Sequence, residues 1–159
     1  MTPRDLTLDD YFGPRRRHAE RTLAVEARAM LLLWRVNRML AAARAAGWVA
    51  RTDPDTGTLV SGAAGGSGDG GWRPSDAVTG AARSAHRRAR AMDIYDPDHW
   101  LARWLTDARL EEFGLYREDF EYTPSWCHVQ DEPPGSGRRV FVPCPPTSDL
   151  RLRSGCWLS

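Results

Sequence analysis

Residues 84–93 read SAHRRARAMD and hold two potential metal ligands, His86 and Asp93, seven positions apart. The alternation of small apolar and polar residues from Ala89 to Ile94 predicts a strand with one face buried. Asp93 would then lie within this strand, and His86 in the loop just before it. A second strand, predicted over residues 126–130, carries His128. The three side chains can meet only if the chain turns between His86 and Asp93.

Two imidazoles and one carboxylate are a suitable ligand set for catalytic zinc, which takes three protein ligands and keeps a fourth position for water. We therefore predict one zinc ion on His86, Asp93 and His128. Taken singly, His86 also fits a surface histidine and His128 a core histidine. Successive strand residues point to opposite faces of a sheet, so Cys127 is predicted to lie in the core, away from the metal.

The segment from His18 to Ala46 is rich in Ala, Leu, Arg and Glu and contains neither Gly nor Pro. This composition predicts a long helix, with Gly47 placed to end it. Its apolar positions follow a helical stripe: Val25, Ala29, Leu32, Leu33, Val36, Leu40 and Ala43. Residues 1–17, which contain Pro3, Gly13 and Pro14, are predicted to form an extended or partly ordered N-terminal arm. The long amphipathic helix, with Gly47 at its end, is assigned to residues 18–47.

Residues 48–71 are predicted to form a Gly-rich surface loop, with a functional lid as the alternative, because residues 52–71 read TDPDTGTLVSGAAGGSGDGG. The core is predicted over residues 72–145 and a C-terminal tail over 146–159. Within the core we expect a short strand at Trp72 and Arg73, and a helix from Pro74 through Ala77, Val78 and Ala81. A further helix is expected over His99–Phe113, closed by Gly114.

The last strand, over residues 138–142, is expected to pair with residues 126–130 across the turn-rich DEPPGSG. Helices and short strands without a regular βαβ repeat predict an α+β fold, with a small antiparallel sheet and flanking helices.

The composition, 42% hydrophobic and 27% charged residues, is that of a globular chain and not of a disordered one. A net charge of +1 argues against a dedicated nucleic-acid-binding protein, although arginine clusters at residues 15–17 and 83–90 leave that alternative open. Three cysteines without CxxC spacing indicate reduced thiols. We expect no signal peptide in the first 17 residues and no membrane span, since no apolar run is long enough.

The residues around the three ligands carry a family resemblance. The run from Ser84 to Asp93 resembles the S-x-H-x-x-G-x-A-x-D motif of the zinc DD-carboxypeptidases, and residues 126–128 resemble their second motif, W-x-H. Residues 71–73, GWR, resemble the element that precedes the first motif. The superfamily includes D-alanyl-D-alanine carboxypeptidases, D-Ala-D-Ala dipeptidases and phage L-alanyl-D-glutamate endolysins, and it shares its fold with the Hedgehog signalling domain. Residues 5–143 look most similar to a phage-encoded group of this superfamily, through LTLDDYF, SAHRRARAMDIYDPD, EEFGLY, TPSWCHVQ and PPGSGRRVFVP.

This resemblance implies a zinc metallopeptidase that hydrolyses a bond in the peptidoglycan stem peptide, of the DD-carboxypeptidase or L-Ala-D-Glu endopeptidase type. Arg73 would steady the substrate carbonyl or the developing oxyanion. Ser84 would bond the substrate carboxylate or orient a ligand. For the general base we expect Glu121 first and Asp119 second, because Ser125 occupies the position that is acidic in many members.

The other departure from the motif is Ala89, which replaces a glycine and is a mild change if the backbone there does not need a positive φ. The alternative function is a catalytically inactive zinc-binding module of a phage virion, structural or bound to the cell wall. In that case the long N-terminal helix would pack on the domain, dimerise or dock on another virion protein. Either way, we expect the protein in the host cytoplasm or in the virion, acting on the wall.

Overall fold

The computed structural model describes residues 4–62, 69–78 and 83–143. As predicted, the fold is α+β, with a long N-terminal helix, shorter helices and one small sheet. The α-helices are α1 (Leu8–Phe12), α2 (Leu23–Ala45), α3 (Trp100–Trp104) and α4 (Asp107–Phe113). The strands are β1 (Ala91–Tyr95), β2 (Tyr116–Glu118), β3 (Trp126–Gln130) and β4 (Val140–Phe141). Short 3₁₀ turns cover Gly13–Arg15, Ala85–Arg88 and Phe120–Tyr122.

The four strands form a mixed sheet in the order β1-β3-β2-β4. Both β1 and β2 pair antiparallel with β3, whereas β4 pairs parallel with β2. The predicted pairing of the last strand with residues 126–130 is therefore wrong, and so is the wholly antiparallel sheet. The physical reason is that β1 and β2 already occupy both edges of β3. The DEPPGSG segment consequently crosses β2 instead of closing a hairpin.

Strand β1 begins at Ala91, two residues later than predicted, and residues 91–94 are buried on both faces of the sheet. The late start follows from Ala89, whose left-handed backbone ends the preceding turn. On β3, Cys127 faces Ile94 in the register and is buried, on the opposite face from His128. Burial also raises the pKa of the Cys127 thiol. The prediction that Cys127 belongs to the core is confirmed.

The long helix is confirmed, and all seven predicted stripe residues are buried. It begins at Leu23 and not at His18, because the hydroxyl of Thr22 accepts a hydrogen bond from the Val25 amide and caps the first turn. Gly47 ends the helix as predicted, with φ +99° and its amide donating to the carbonyl of Arg44. A left-handed residue at this point satisfies carbonyls of the last turn.

The N-terminal segment is not an extended or partly ordered arm over residues 8–15, since it forms α1 and a 3₁₀ turn. Thr7 and Asp10 cap α1 reciprocally, and Tyr11 and Phe12 are buried in the core. The sequence did not predict α1, because Tyr11 and Phe12 are adjacent aromatic residues in a polar stretch and do not repeat at helical spacing. Their burial nevertheless makes this segment part of the domain, because each ring removes a large apolar surface from water.

The helix predicted over His99–Phe113 is divided into α3 and α4 by Leu105, whose ψ of 79° is not helical. Gly114 closes α4 with φ +66°, as predicted. Residues 72 and 73 form no strand, and the expected helix after Pro74 is a turn at residues 75–76. Ala81, the middle of the Gly-rich loop and the C-terminal tail lie outside the described residues. Among the described helices, none is long and apolar enough to cross a membrane.

Candidate metal centre

His86, Asp93 and His128 form a buried group that could hold a metal ion. Nε2 of His86 lies 3.4 Å from Oδ1 of Asp93 and 3.2 Å from Nδ1 of His128, and the latter two atoms are 2.8 Å apart. Zinc bonds of about 2.0–2.1 Å in a tetrahedron place neighbouring ligand atoms about 3.3 Å apart. Two of the three separations already match this value, and the shortest is that of a hydrogen bond.

The turn that the ligand spacing requires lies between His86 and β1. His86 lies in the 3₁₀ turn Ala85–Arg88, and its backbone amide donates a hydrogen bond to the hydroxyl of Ser84 at 3.3 Å. Ala89 follows with φ +58° and reverses the chain into β1, where Asp93 lies directly opposite His128. The backbone at Ala89 does adopt a positive φ, so alanine costs about 1–2 kcal/mol there relative to glycine, and the condition for a mild change at this position is not met.

The outer nitrogens of both imidazoles are held by oxygen acceptors. Nδ1 of His86 lies 2.8 Å from the carbonyl of Gly71, and Nε2 of His128 lies 3.2 Å from Oε1 of Gln130. Carbonyl oxygens cannot donate, so each outer nitrogen carries the proton in a neutral ring. Each inner nitrogen then presents a lone pair towards the Asp93 carboxylate. Three acceptors that converge in a buried space need a cation or a proton between them.

Charge interactions set the protonation of the group. Burial would raise the pKa of Asp93, but the two imidazoles hold it well below its usual range. Burial lowers the pKa of His86, against the pull of Asp93. Burial would also lower the pKa of His128, but the hydrogen bond and charge of Asp93 raise it above its usual value. An ionised carboxylate thus lies beside at least one neutral imidazole, and a metal ion bound at the three ligand atoms would compete with protons for the same lone pairs.

Arg73 contacts the ligand group directly. Its Nη2 donates to Oδ2 of Asp93 at 3.2 Å, and its Nε donates to the carbonyl of Asp69 at 2.6 Å. These bonds orient the carboxylate so that Oδ1 faces the two imidazoles, as outer partners of metal ligands commonly do. The expected role of Arg73 towards substrate stays a prediction. For Ser84, the contact with the His86 amide favours the ligand-orienting role.

Glu118 is the carboxylate that sequence reasoning missed. Tyr116 and Arg117 pair with Gln130 and Val129, so the next step of the register places Glu118 opposite His128, on the same face of the sheet. Its charge interacts with His128, Asp93 and Arg73, and burial raises its pKa. A half-buried carboxylate with a raised pKa, opposite a metal-ligand candidate, has the position and chemistry of a group that could exchange a proton with a molecule bound there.

The two carboxylates predicted from sequence lie just past the end of β2. Oδ1 of Asp119 accepts a hydrogen bond from the Glu121 amide at 3.2 Å and caps the 3₁₀ turn there, and Glu121 is exposed. The register places neither residue opposite a ligand. On the other side of β2, the ring of Phe141 meets the His128 imidazole edge to face, with centroids 6.1 Å apart, and forms an apolar wall of the centre.

The arginine cluster at residues 83–90 is largely engaged within the protein. Arg87 donates to backbone carbonyls of residues 74, 75 and 77, Arg88 pairs with Glu132, and Arg90 pairs with Asp131. Such pairing leaves little uncompensated positive charge for phosphate contacts. The cluster therefore does not favour nucleic-acid binding.

No protein-family model, no curated protein and no solved structure matches this chain.

Proposed function

We propose that this chain is a zinc-dependent peptidase that hydrolyses a peptide bond in the stem peptide of bacterial peptidoglycan. The observation that carries the proposal is the convergence of His86, Asp93 and His128, with Glu118 opposite His128 in the register. Three protein ligands and one nearby carboxylate are the arrangement that metal-assisted hydrolysis uses. The motif resemblance supplies the substrate class.

In the proposed mechanism His86, Asp93 and His128 hold the metal, and Arg73 keeps the Asp93 carboxylate in its ligating orientation. A zinc ion bound there supplies Lewis-acid activation of water and of the scissile carbonyl. Glu118 accepts the proton of the attacking water and transfers it to the departing amine, a role that requires a carboxylate close to the metal ligands. Burial of the ligand group strengthens each of these electrostatic interactions by excluding water.

The test is digestion of purified peptidoglycan by the full chain, with and without a chelator, followed by mass spectrometry of the released fragments. We expect one defined fragment, lost on chelation and restored by zinc. The mass of the fragment distinguishes release of terminal D-Ala from cleavage between L-Ala and D-Glu. Absence of any fragment from a protein that carries zinc would overturn the catalytic proposal.

A second candidate is a zinc-binding virion or wall-binding module without turnover. The observation that favours it is the outer face of α2, where large apolar side chains are exposed opposite the buried stripe: Leu23 85%, Met30 58%, Leu31 45% and Trp34 55%. Exposed apolar patches of this kind are typical of surfaces that assemble with other proteins. Zinc retention with intact peptidoglycan is the outcome that this candidate predicts. For either candidate we propose that the protein works in the host cytoplasm or the virion.

A further inference from the structure

We propose that Gln130 is a positioning residue, which fixes the ring of His128 so that Nδ1 and not Nε2 meets the metal. The inference rests on the metal centre of the proposed function and extends it to a residue outside the three ligands. Gln130 lies two positions after His128 on β3, so that the two side chains share a face of the sheet.

Two hydrogen bonds determine how the Gln130 amide is oriented. Its Nε2 donates to the carbonyl of Glu132 at 2.8 Å, which leaves Oε1 to face Nε2 of His128 at 3.2 Å. The reverse orientation would place an NH₂ group against the His128 ring and an oxygen against the Glu132 carbonyl. Because two oxygens would then face each other in a buried position, that orientation is disfavoured.

The support of Gln130 is connected to the turn that holds His86. Nε of Arg88, in that turn, donates to Oε1 of Glu132 at 3.0 Å. The neighbouring Arg90 pairs with Asp131, whose amide donates to the Arg90 carbonyl at 3.0 Å. Residues 130–132 are thus bound to the segment that carries one histidine, while Gln130 contacts the other. The segment that follows His86 and the segment that supports Gln130 therefore contact each other, while the ring of His86 itself is held by the Gly71 carbonyl.

The consequence concerns which ring nitrogen can bind the metal. An acceptor at Nε2 keeps the proton there and reserves the Nδ1 lone pair for the ion. Without the Gln130 oxygen, the His128 ring loses the hydrogen bond that keeps the proton on Nε2 and holds the ring in its present rotation. Removal of such outer partners typically weakens metal binding about 10–100-fold.

The experiment measures zinc affinity of the full chain, by competition with a chromophoric chelator, in Gln130→Met, Gln130→Glu and Arg88→Met. We expect Gln130→Met to bind zinc about 10–100-fold more weakly. Gln130→Glu keeps an acceptor for Nε2, and carboxylates serve as natural outer partners of zinc-bound histidine, but it loses the donor to the Glu132 carbonyl. Its affinity should therefore fall less than that of Gln130→Met and stay within about tenfold of wild type. Arg88→Met is the control, since it removes the contact with the Glu132 carboxylate but not the Glu132 carbonyl that holds Gln130. Its effect should stay within about threefold, as for an exposed ion pair.

A second readout is the long-range ¹H–¹⁵N spectrum of the histidine rings in the zinc-loaded protein. Wild type and Gln130→Glu should show His128 bound through Nδ1 with a proton on Nε2. Wild-type affinity and an unchanged ring in Gln130→Met would overturn the inference alone. If Gln130→Met fails to fold, a large loss of affinity in the folded Gln130→Glu would overturn it instead. Failure of the wild-type chain to bind zinc would overturn the metal centre itself.

Discussion

Glu118→Gln is expected to lower peptidoglycan hydrolysis about 10²–10⁴-fold while the zinc content of the protein stays at that of wild type. The amide keeps the shape of the side chain but cannot accept the proton of the attacking water. None of the three ligand atoms belongs to Glu118, so metal binding should persist. The measurements are the initial rate of fragment release and the zinc content of the same preparation.

Glu121→Gln and Asp119→Asn are the matched controls, because each removes one carboxylate charge within three positions of Glu118. Glu121 is exposed and Asp119 caps a turn, so we expect both variants to retain activity within about tenfold of wild type, the effect of roughly 1.4 kcal/mol. Loss of hydrolysis in Glu121→Gln with full activity in Glu118→Gln would contradict the assignment of the base.

Gly71→Ala is expected to destabilise the fold by about 3 kcal/mol or more. A Cβ at this position would lie 1.8 Å from the carbonyl oxygen of Tyr11 and 2.9 Å from its carbonyl carbon. Both atoms are backbone in the buried α1 segment, so neither can rotate away as a flexible side chain would. The Gly71 carbonyl also accepts the hydrogen bond from Nδ1 of His86, so the same shift should weaken zinc binding.

Urea denaturation gives the free energy of unfolding, and Gly57→Ala serves as the control. Gly57 has φ +67° but nothing within 4 Å of its added Cβ, so this variant pays only for the left-handed backbone, about 1–2 kcal/mol. Equal destabilisation of the two variants would contradict the close packing of α1 against Gly71.

Local chemistry explains which features the sequence could predict. The long helix was predictable because its apolar residues repeat at helical spacing and a capping glycine follows. The ligand group was predictable because two imidazoles and a carboxylate suit zinc and the residues around them resemble a known zinc-binding motif. The structure brings their ligand atoms together. The opposite orientation of Cys127 and His128 was predictable because successive side chains of a strand point to opposite faces of the sheet.

What the sequence could not provide depends on contacts between distant segments. Glu118 belongs to a three-residue strand that has no periodic pattern of its own, and only its register with β3 places it beside His128. The parallel pairing of β4 depends on which edge of the sheet is free. Likewise, the turn between His86 and Asp93 requires a left-handed backbone at Ala89. Alanine gives no local signal for such a backbone, as a glycine would.

The most direct test of the central claim is the zinc content of the purified full chain and of His128→Ala, measured by elemental analysis after dialysis against a weak chelator. We predict one zinc ion per wild-type chain and none in the variant, because loss of one of three protein ligands leaves too few to retain the ion. A wild-type chain without metal, or a variant that keeps as much zinc as wild type, would contradict a metal centre formed by His86, Asp93 and His128.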